Sequence, residues 1–100
     1  MDYQVILSPS AQADLSDIVR YISLDAPDRA LHFGQMLLSS TRKLAQFPEM
    51  GRVVPEFNKI SIREIIVRSY RVVYRVDHAR HSVEVARCWH GARGTPEIGV

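Results

Sequence analysis

The residues best suited to chemistry in this chain are Glu56, Arg71, His90 and Arg93. His90 opens the segment His90-Gly91-Ala92-Arg93 directly after a run of strand-forming residues, and an imidazole with an ordinary pKa of roughly 6.5 suits proton transfer at neutral pH. Arg71 and Arg93 bring planar guanidinium forks that offset the charge of a pentacoordinate phosphate. Glu56 is a second proton-transfer group if its loop folds toward the sheet. A metal-independent RNA cleavage requires such a set: a base for the 2′-hydroxyl, an acid for the leaving oxygen, and cations for the charge between them. The plainer reading makes His90 a structural residue at a strand end. It also lays Arg63, Arg68, Arg71 and Arg75 across apolar side chains, where they keep a sheet soluble. Sequence alone does not bring these groups together.

Other clusters carry less. His78 and His81 form a His-x-x-His pair with no further close ligand, and Cys88 fits a small buried hydrophobe, so no metal site is expected. There is no Gly-rich phosphate loop or nucleophile elbow, and no cofactor is implied. Trp89 is placed to stack on a base, with core packing as its simpler use.

The elements that must position these residues are legible. Tyr3 to Leu7 reads as a strand that Ser8 and Pro9 stop. Ser8 as N-cap and Pro9 at the first helical position start a helix whose stripe is Ala11, Leu15, Ile18, Val19 and Ile22, with Asp14 and Asp17 toward its positive end. Asp25 as cap and Asp28 as capping-box acid start a second helix running to about Gln46, with Ala30, Phe33, Leu37, Thr41 and Leu44 on its inner face. Pro55 keeps its neighbours out of a central strand. Ile62 to Val67, Tyr70 to Val76 and Ser82 to Trp89 then form an antiparallel meander. The expected fold is α+β, in the order β-α-α-β-β-β, with the helical hairpin packed on one face of a small, mainly antiparallel sheet. Alternation sets Arg71, Val73 and Arg75 on one face and Tyr70, Val72, Tyr74 and Val76 on the other. If the helices cover the tyrosine face, the arginine face is open and basic. Residues 94–100 read as a loose tail of a single domain spanning 1–100.

Composition narrows the class of partner. Residues 1–50 hold four Lys/Arg against six Asp/Glu, whereas residues 51–100 hold nine against five, and eleven of the thirteen cations are arginine. Anionic partners are therefore favoured, although a net charge of only +2 does not imply strong nonspecific nucleic-acid binding. No apolar run approaches the roughly 18 residues of a membrane span. The opening MDYQVILSPS lacks a secretion signal, and a single cysteine suits a reducing compartment, so the expected location is the cytoplasm.

Four segments in order, YQVILSPSAQADLSDIVRYI, FPEMGRVVPE, IREIIVRSYRVVYRVD and VEVARCWHGAR, closely resemble the RelE/ParE superfamily of bacterial toxins, the ParE-type branch above all. The resemblance covers nearly the whole chain. It implies a toxin of a type II toxin–antitoxin module, associated with growth arrest and plasmid stabilization. Such a toxin is neutralised by a cognate, ParD-like antitoxin encoded beside it, which wraps a disordered and often acidic segment around the toxin, with higher-order assembly possible. The ParE-like target is DNA gyrase. The RelE-like alternative is a ribosome-dependent endoribonuclease that cuts mRNA with Glu56, Arg71, His90 and Arg93. A non-toxic domain that binds antitoxin and regulates transcription is a second alternative. The basic pair of RelE falls here at about Ile62 and Glu64, and no tyrosine follows Arg93, departures that favour the gyrase reading. Antitoxin contacts are expected at Ile18, Ile22, Phe33 and Leu37 of the hairpin, each with a core reading beside it, and at Arg63 and Arg75 of the sheet.

Overall fold

The computed structural model describes residues 2–99. Strand β1 (Gln4–Leu7) ends at Ser8, which takes extended backbone and caps helix α1 (Pro9–Ser23) as its sequence predicts. Ser8 Oγ accepts from the Ala11 amide at 3.0 Å and donates to the Ala86 carbonyl at 2.9 Å, so one hydroxyl both starts the helix and pins it to the sheet.

Helix α2 (Pro27–Arg42) departs from expectation at both ends. Its N-cap is Ala26, which makes no side-chain bond, so the anticipated Asp25/Asp28 capping box does not form. Pro27 sets the start instead, through its fixed φ and its missing N–H. At the other end the α-helix stops at Arg42 and a 3₁₀ turn, Lys43–Ala45, follows. Just before it, Ser40 and Thr41 bond back to the carbonyls of Met36 and Leu38, a habit of hydroxyl side chains that strains a helix ladder.

Strands β3 (Ile62–Val67), β4 (Tyr70–Asp77) and β5 (Ser82–His90) form the antiparallel meander. A two-residue edge strand that the sequence reading omitted, β2 (Arg52–Val53), joins β3 just before Pro55. The order across the sheet is β1-β5-β4-β3-β2, with β1 parallel to β5. The α+β architecture of a helical hairpin on a mainly antiparallel sheet is thus the one expected. An irregularity at Val73/Tyr74 gives β5 one extra residue, Ala86, which shifts its alternation so that Val83 and Val85 before it and Cys88 after it all face the main core.

The main core lies between hairpin and sheet. Ala11, Ile18, Leu37 and Leu44 pack on Val72, Tyr74, Val76, Val83 and Val85. Tyr74 is fully buried, and its hydroxyl accepts from the Gly51 amide at 3.0 Å. A Cβ on Gly51 would stand 2.4 Å from the Glu64 carbonyl oxygen, so only glycine fits there.

The opposite face is not open, which corrects the sequence reading. Val54, Ile62 and Val73 form a second buried cluster there, with Phe57 and Ile98 packed against it. Alternation does place Arg71, Val73 and Arg75 together. Yet Val73 and Ile62 are apolar and need cover, and the loop after β2 and the segment 94–99 supply it. Among the described residues, no helix is long and apolar enough to cross a membrane.

Candidate functional site

On the back face, sheet register assembles an ion network. Arg52 lies directly opposite Glu64 across β2 and β3, and Arg71 lies directly opposite Ile66 and Trp89, which makes Glu64 its diagonal neighbour. Glu64 has no exposed side-chain surface. Its Oε2 accepts from Arg52 Nε at 2.7 Å and lies 2.6 Å from Nη2, while its Oε1 accepts from Arg71 Nε at 2.6 Å. A carboxylate buried this deeply is tolerable only when cations and hydrogen bonds replace its water.

Arg71 is itself only 8% exposed. Its Nη1 donates to the Gly94 carbonyl at 2.8 Å, and its Nη2 stands 2.9 Å from Glu56 Oε2, an ion-pair distance without hydrogen-bond alignment. The Glu64 bond raises the Arg71 pKa against the opposing effect of burial, and Glu56 adds to the rise. Glu56 in turn titrates below its ordinary value, chiefly because the Thr95 hydroxyl donates to its Oε2 at 2.8 Å, with its own backbone and Arg71 assisting against burial. Arg71 is therefore spoken for: two carboxylates and a carbonyl occupy the fork that a phosphate would need.

The proposed catalytic set does not assemble. Trp89 is the residue opposite Arg71, so the next residue, His90, points to the other face, where its ring meets Tyr70 edge-on at 5.1 Å between centroids. His90 Nδ1 accepts from the Ala92 amide at 3.1 Å. Arg93 stacks over the Trp89 ring at 3.7 Å, and Arg87 lies over the same indole at 4.4 Å. Arg93 and His90 line one cleft of about 340 Å³ with Tyr70, Asp14 and Asp17. Glu56 and Arg71 lie on the back face, away from His90, while Arg93 stacks on the back-face ring of Trp89 and also lines the cleft with His90, so the four residues share no single site.

The expected antitoxin contacts also divide. Leu37 and Ile18 are buried in the main core, at 1% and 8% exposure, and hold the hairpin on the sheet rather than offering a surface. Ile22 and Phe33 are half-buried and line a groove of about 440 Å³ with Tyr21, Arg29, Met36 and Arg68. Tyr21 on its wall is 75% exposed. Arg63 ties the turn before β2 to the loop before β3, donating to the carbonyls of Gly51 at 2.9 Å and Ile60 at 3.1 Å. Arg75 pairs with Glu84 at 2.8 Å and donates to the carbonyls of Ile98 and Gly99.

Sequence reasoning missed Glu64 and Asp14 as organising residues. Asp14 binds Arg87 through both oxygens, at 2.7 and 2.9 Å, and accepts from the Cys88 amide at 3.0 Å, where β1 has ended and the edge of β5 is bare. A single acid inside the apolar run Ile62-Arg63-Glu64-Ile65-Ile66-Val67 was the available signal for Glu64. Asp14 gave none, because its partner is distant in sequence.

Residues 5–94 match the family model described as the ParE toxin of the type II toxin–antitoxin system parDE. Three solved structures are similar. A chromosomal ParDE toxin–antitoxin system from P. aeruginosa matches with a TM-score of 0.74 at 19% identity, covering 88% of this chain and 95% of that one. The RelBE2 toxin–antitoxin complex from Mycobacterium tuberculosis matches at 0.66 and 19%, covering 90% and 99%. A double arginine-to-alanine mutant of the toxin RelE from E. coli, in the free state, matches at 0.68 and 15%, covering 94% and 88%. No functionally curated protein matches the sequence.

Proposed function

Because the chain belongs to the family of ParE toxins of type II toxin–antitoxin systems, we propose that it arrests growth by poisoning DNA gyrase without cleaving RNA, and that a cognate antitoxin neutralises it. The observation that carries this reading is the buried Arg52–Glu64–Arg71 network. Where the RelE-like resemblance calls for a basic residue on β3, this chain has a carboxylate with no exposed side-chain surface, and that carboxylate holds Arg71 by its Nε. Releasing the guanidinium to a phosphate would strip Glu64 Oε1 of its partner and leave Arg52 alone to offset a carboxylate with no exposed side-chain surface, which disfavours that exchange.

Inducing the chain in cells without antitoxin distinguishes the targets. The gyrase reading expects gyrase-linked double-strand breaks and altered plasmid topology. It also expects Arg71→Ala to leave primer-extension patterns on mRNA unchanged. Codon-positioned mRNA cuts that vanish in Arg71→Ala would overturn it in favour of the endoribonuclease, a reading supported by the cleft that His90 and Arg93 share with Tyr70. Absence of any growth defect would instead favour a regulatory, antitoxin-binding domain.

The antitoxin is assigned to the hairpin groove, which combines apolar walls from Ile22, Phe33 and Met36 with the cations Arg29 and Arg68, two against the single carboxylate of Asp25. That mixture fits an amphipathic segment bearing acids, the helix-in-groove mode of recognition. Phe33→Ala is expected to weaken antitoxin binding at least tenfold in a titration where circular dichroism shows the fold retained. Unchanged affinity would remove the groove from the interface.

A further inference from the structure

Residues 94–99, expected from sequence to be loose, lie fastened across the back of the sheet. Arginine side chains of the body hold its backbone carbonyls. Arg71 Nη1 donates to the Gly94 carbonyl at 2.8 Å, Arg87 Nη1 to that of Glu97 at 3.1 Å, and Arg75 Nη2 to those of Ile98 and Gly99 at 2.7 and 2.5 Å. Thr95 donates to Glu56 at 2.8 Å, Pro96 is fully buried, and Ile98 packs on the Val54, Ile62 and Val73 cluster. Among the described residues, no backbone ladder joins 95–99 to the sheet.

Such a surface has the parts of a peptide-binding site: guanidinium donors spaced along an extended chain to read its carbonyls, and apolar seats for side chains two positions apart. Each arginine already has its charge matched, Arg71 by Glu64, Arg75 by Glu84 and Arg87 by Asp14, so the surface accepts neutral carbonyl oxygens without requiring an acidic guest. The segment does not fill it. A cleft of about 410 Å³ stays open beside Ile98, lined by Phe57, Lys59, Ile62 and Arg75. Gly94 enters the segment at φ +79°, a left-handed conformation that makes a natural pivot.

We infer that the back of the sheet is a peptide-recognition groove which residues 94–99 fill in cis, and that an extended segment of a partner protein, with a proline and an aliphatic residue two positions apart, takes their place. The groove lies on the face opposite the hairpin, so its occupant and one seated on the helices bind together. A segment tethered this closely competes at an effective concentration on the order of millimolar. A partner displaces it by also filling the cleft beside Ile98.

The test uses the full chain and a synthetic peptide with the sequence of residues 94–99, with no gyrase or antitoxin present, so its outcome is independent of the target proposed above. Ile98→Asp should release the segment while leaving the hairpin core intact. Gly94→Ala should loosen it through backbone strain alone, since a Cβ there meets nothing within 4 Å. Emission from Trp89, the single tryptophan, reports occupancy because Arg87 touches both its ring and the Glu97 carbonyl. In either variant the peptide should bind saturably with an apparent Kd at least tenfold below that of the unaltered chain, and a peptide with alanine in place of its proline and isoleucine should not bind. If a variant with native circular dichroism shows no saturable response, or binds the alanine peptide equally, the groove is not a recognition site.

Discussion

Replacing Glu64 with alanine tests the central electrostatic claim. The substitution leaves Arg71, whose side chain is 10% exposed, without its shortest partner, and frees Arg52, whose side chain is 63% exposed. Arg52 can return to water at little cost. Arg71 cannot, although Glu56 at 2.9 Å still offsets part of its charge. Breaking one side of a buried pair costs about 3–5 kcal/mol, and the surviving Glu56 contact places Glu64→Ala near the lower end, about 3 kcal/mol. For a domain of this size that lowers Tm by roughly 12–24 °C, readable by calorimetry or thermal circular dichroism. The double variant Glu64→Ala/Arg71→Ala should recover about 2 kcal/mol relative to the sum of the single losses, because the uncompensated charge leaves with Arg71. A Glu64→Ala protein within about 0.5 kcal/mol of the parent, or strict additivity in the double variant, would refute the reasoning. Arg71 would then not depend on Glu64, and the case against phosphate binding would fall with it.

Tyr74→Phe removes the buried acceptor of the Gly51 amide and should cost about 1–3 kcal/mol in urea denaturation, with no change in toxicity beyond that loss. Burial pushes the Cys88 thiol up to about 11, so a chromogenic disulfide reagent at pH 8 should leave it unmodified in the folded protein and label it rapidly in denaturant. Prompt labelling of the native chain would contradict its place in the core. Glu56 titrates below its ordinary 4.5, held chiefly by the Thr95 hydroxyl, so its stabilisation of the segment 94–99 is complete above that value and lost as pH falls through the lowered one. Hydrogen exchange of 94–99, corrected for intrinsic rates, should therefore lose protection below about pH 4.5, and Glu56→Gln should abolish that dependence.

The amino-acid sequence by itself determined the elements and their class. Ser8 and Pro9 start α1 because their chemistry is local, and the apolar spacing of Ala11 and Ile18 marks the face that meets the sheet whatever lies beyond. The alternation in Tyr70 to Val76 likewise divided the strand correctly into two faces. What those faces met was beyond its reach. That Arg71 meets Glu64, Glu56 and the Gly94 carbonyl depends on register across three strands and on the path of a segment that has no hydrophobic period. Only the folded chain separates His90 from Arg71, since neighbours in pairing register, Trp89 and His90, must point to opposite sides of the sheet. Local chemistry fixes where strands and helices begin; whether a guanidinium is free or already bound is settled by residues far away in the chain, and that decides what this surface does.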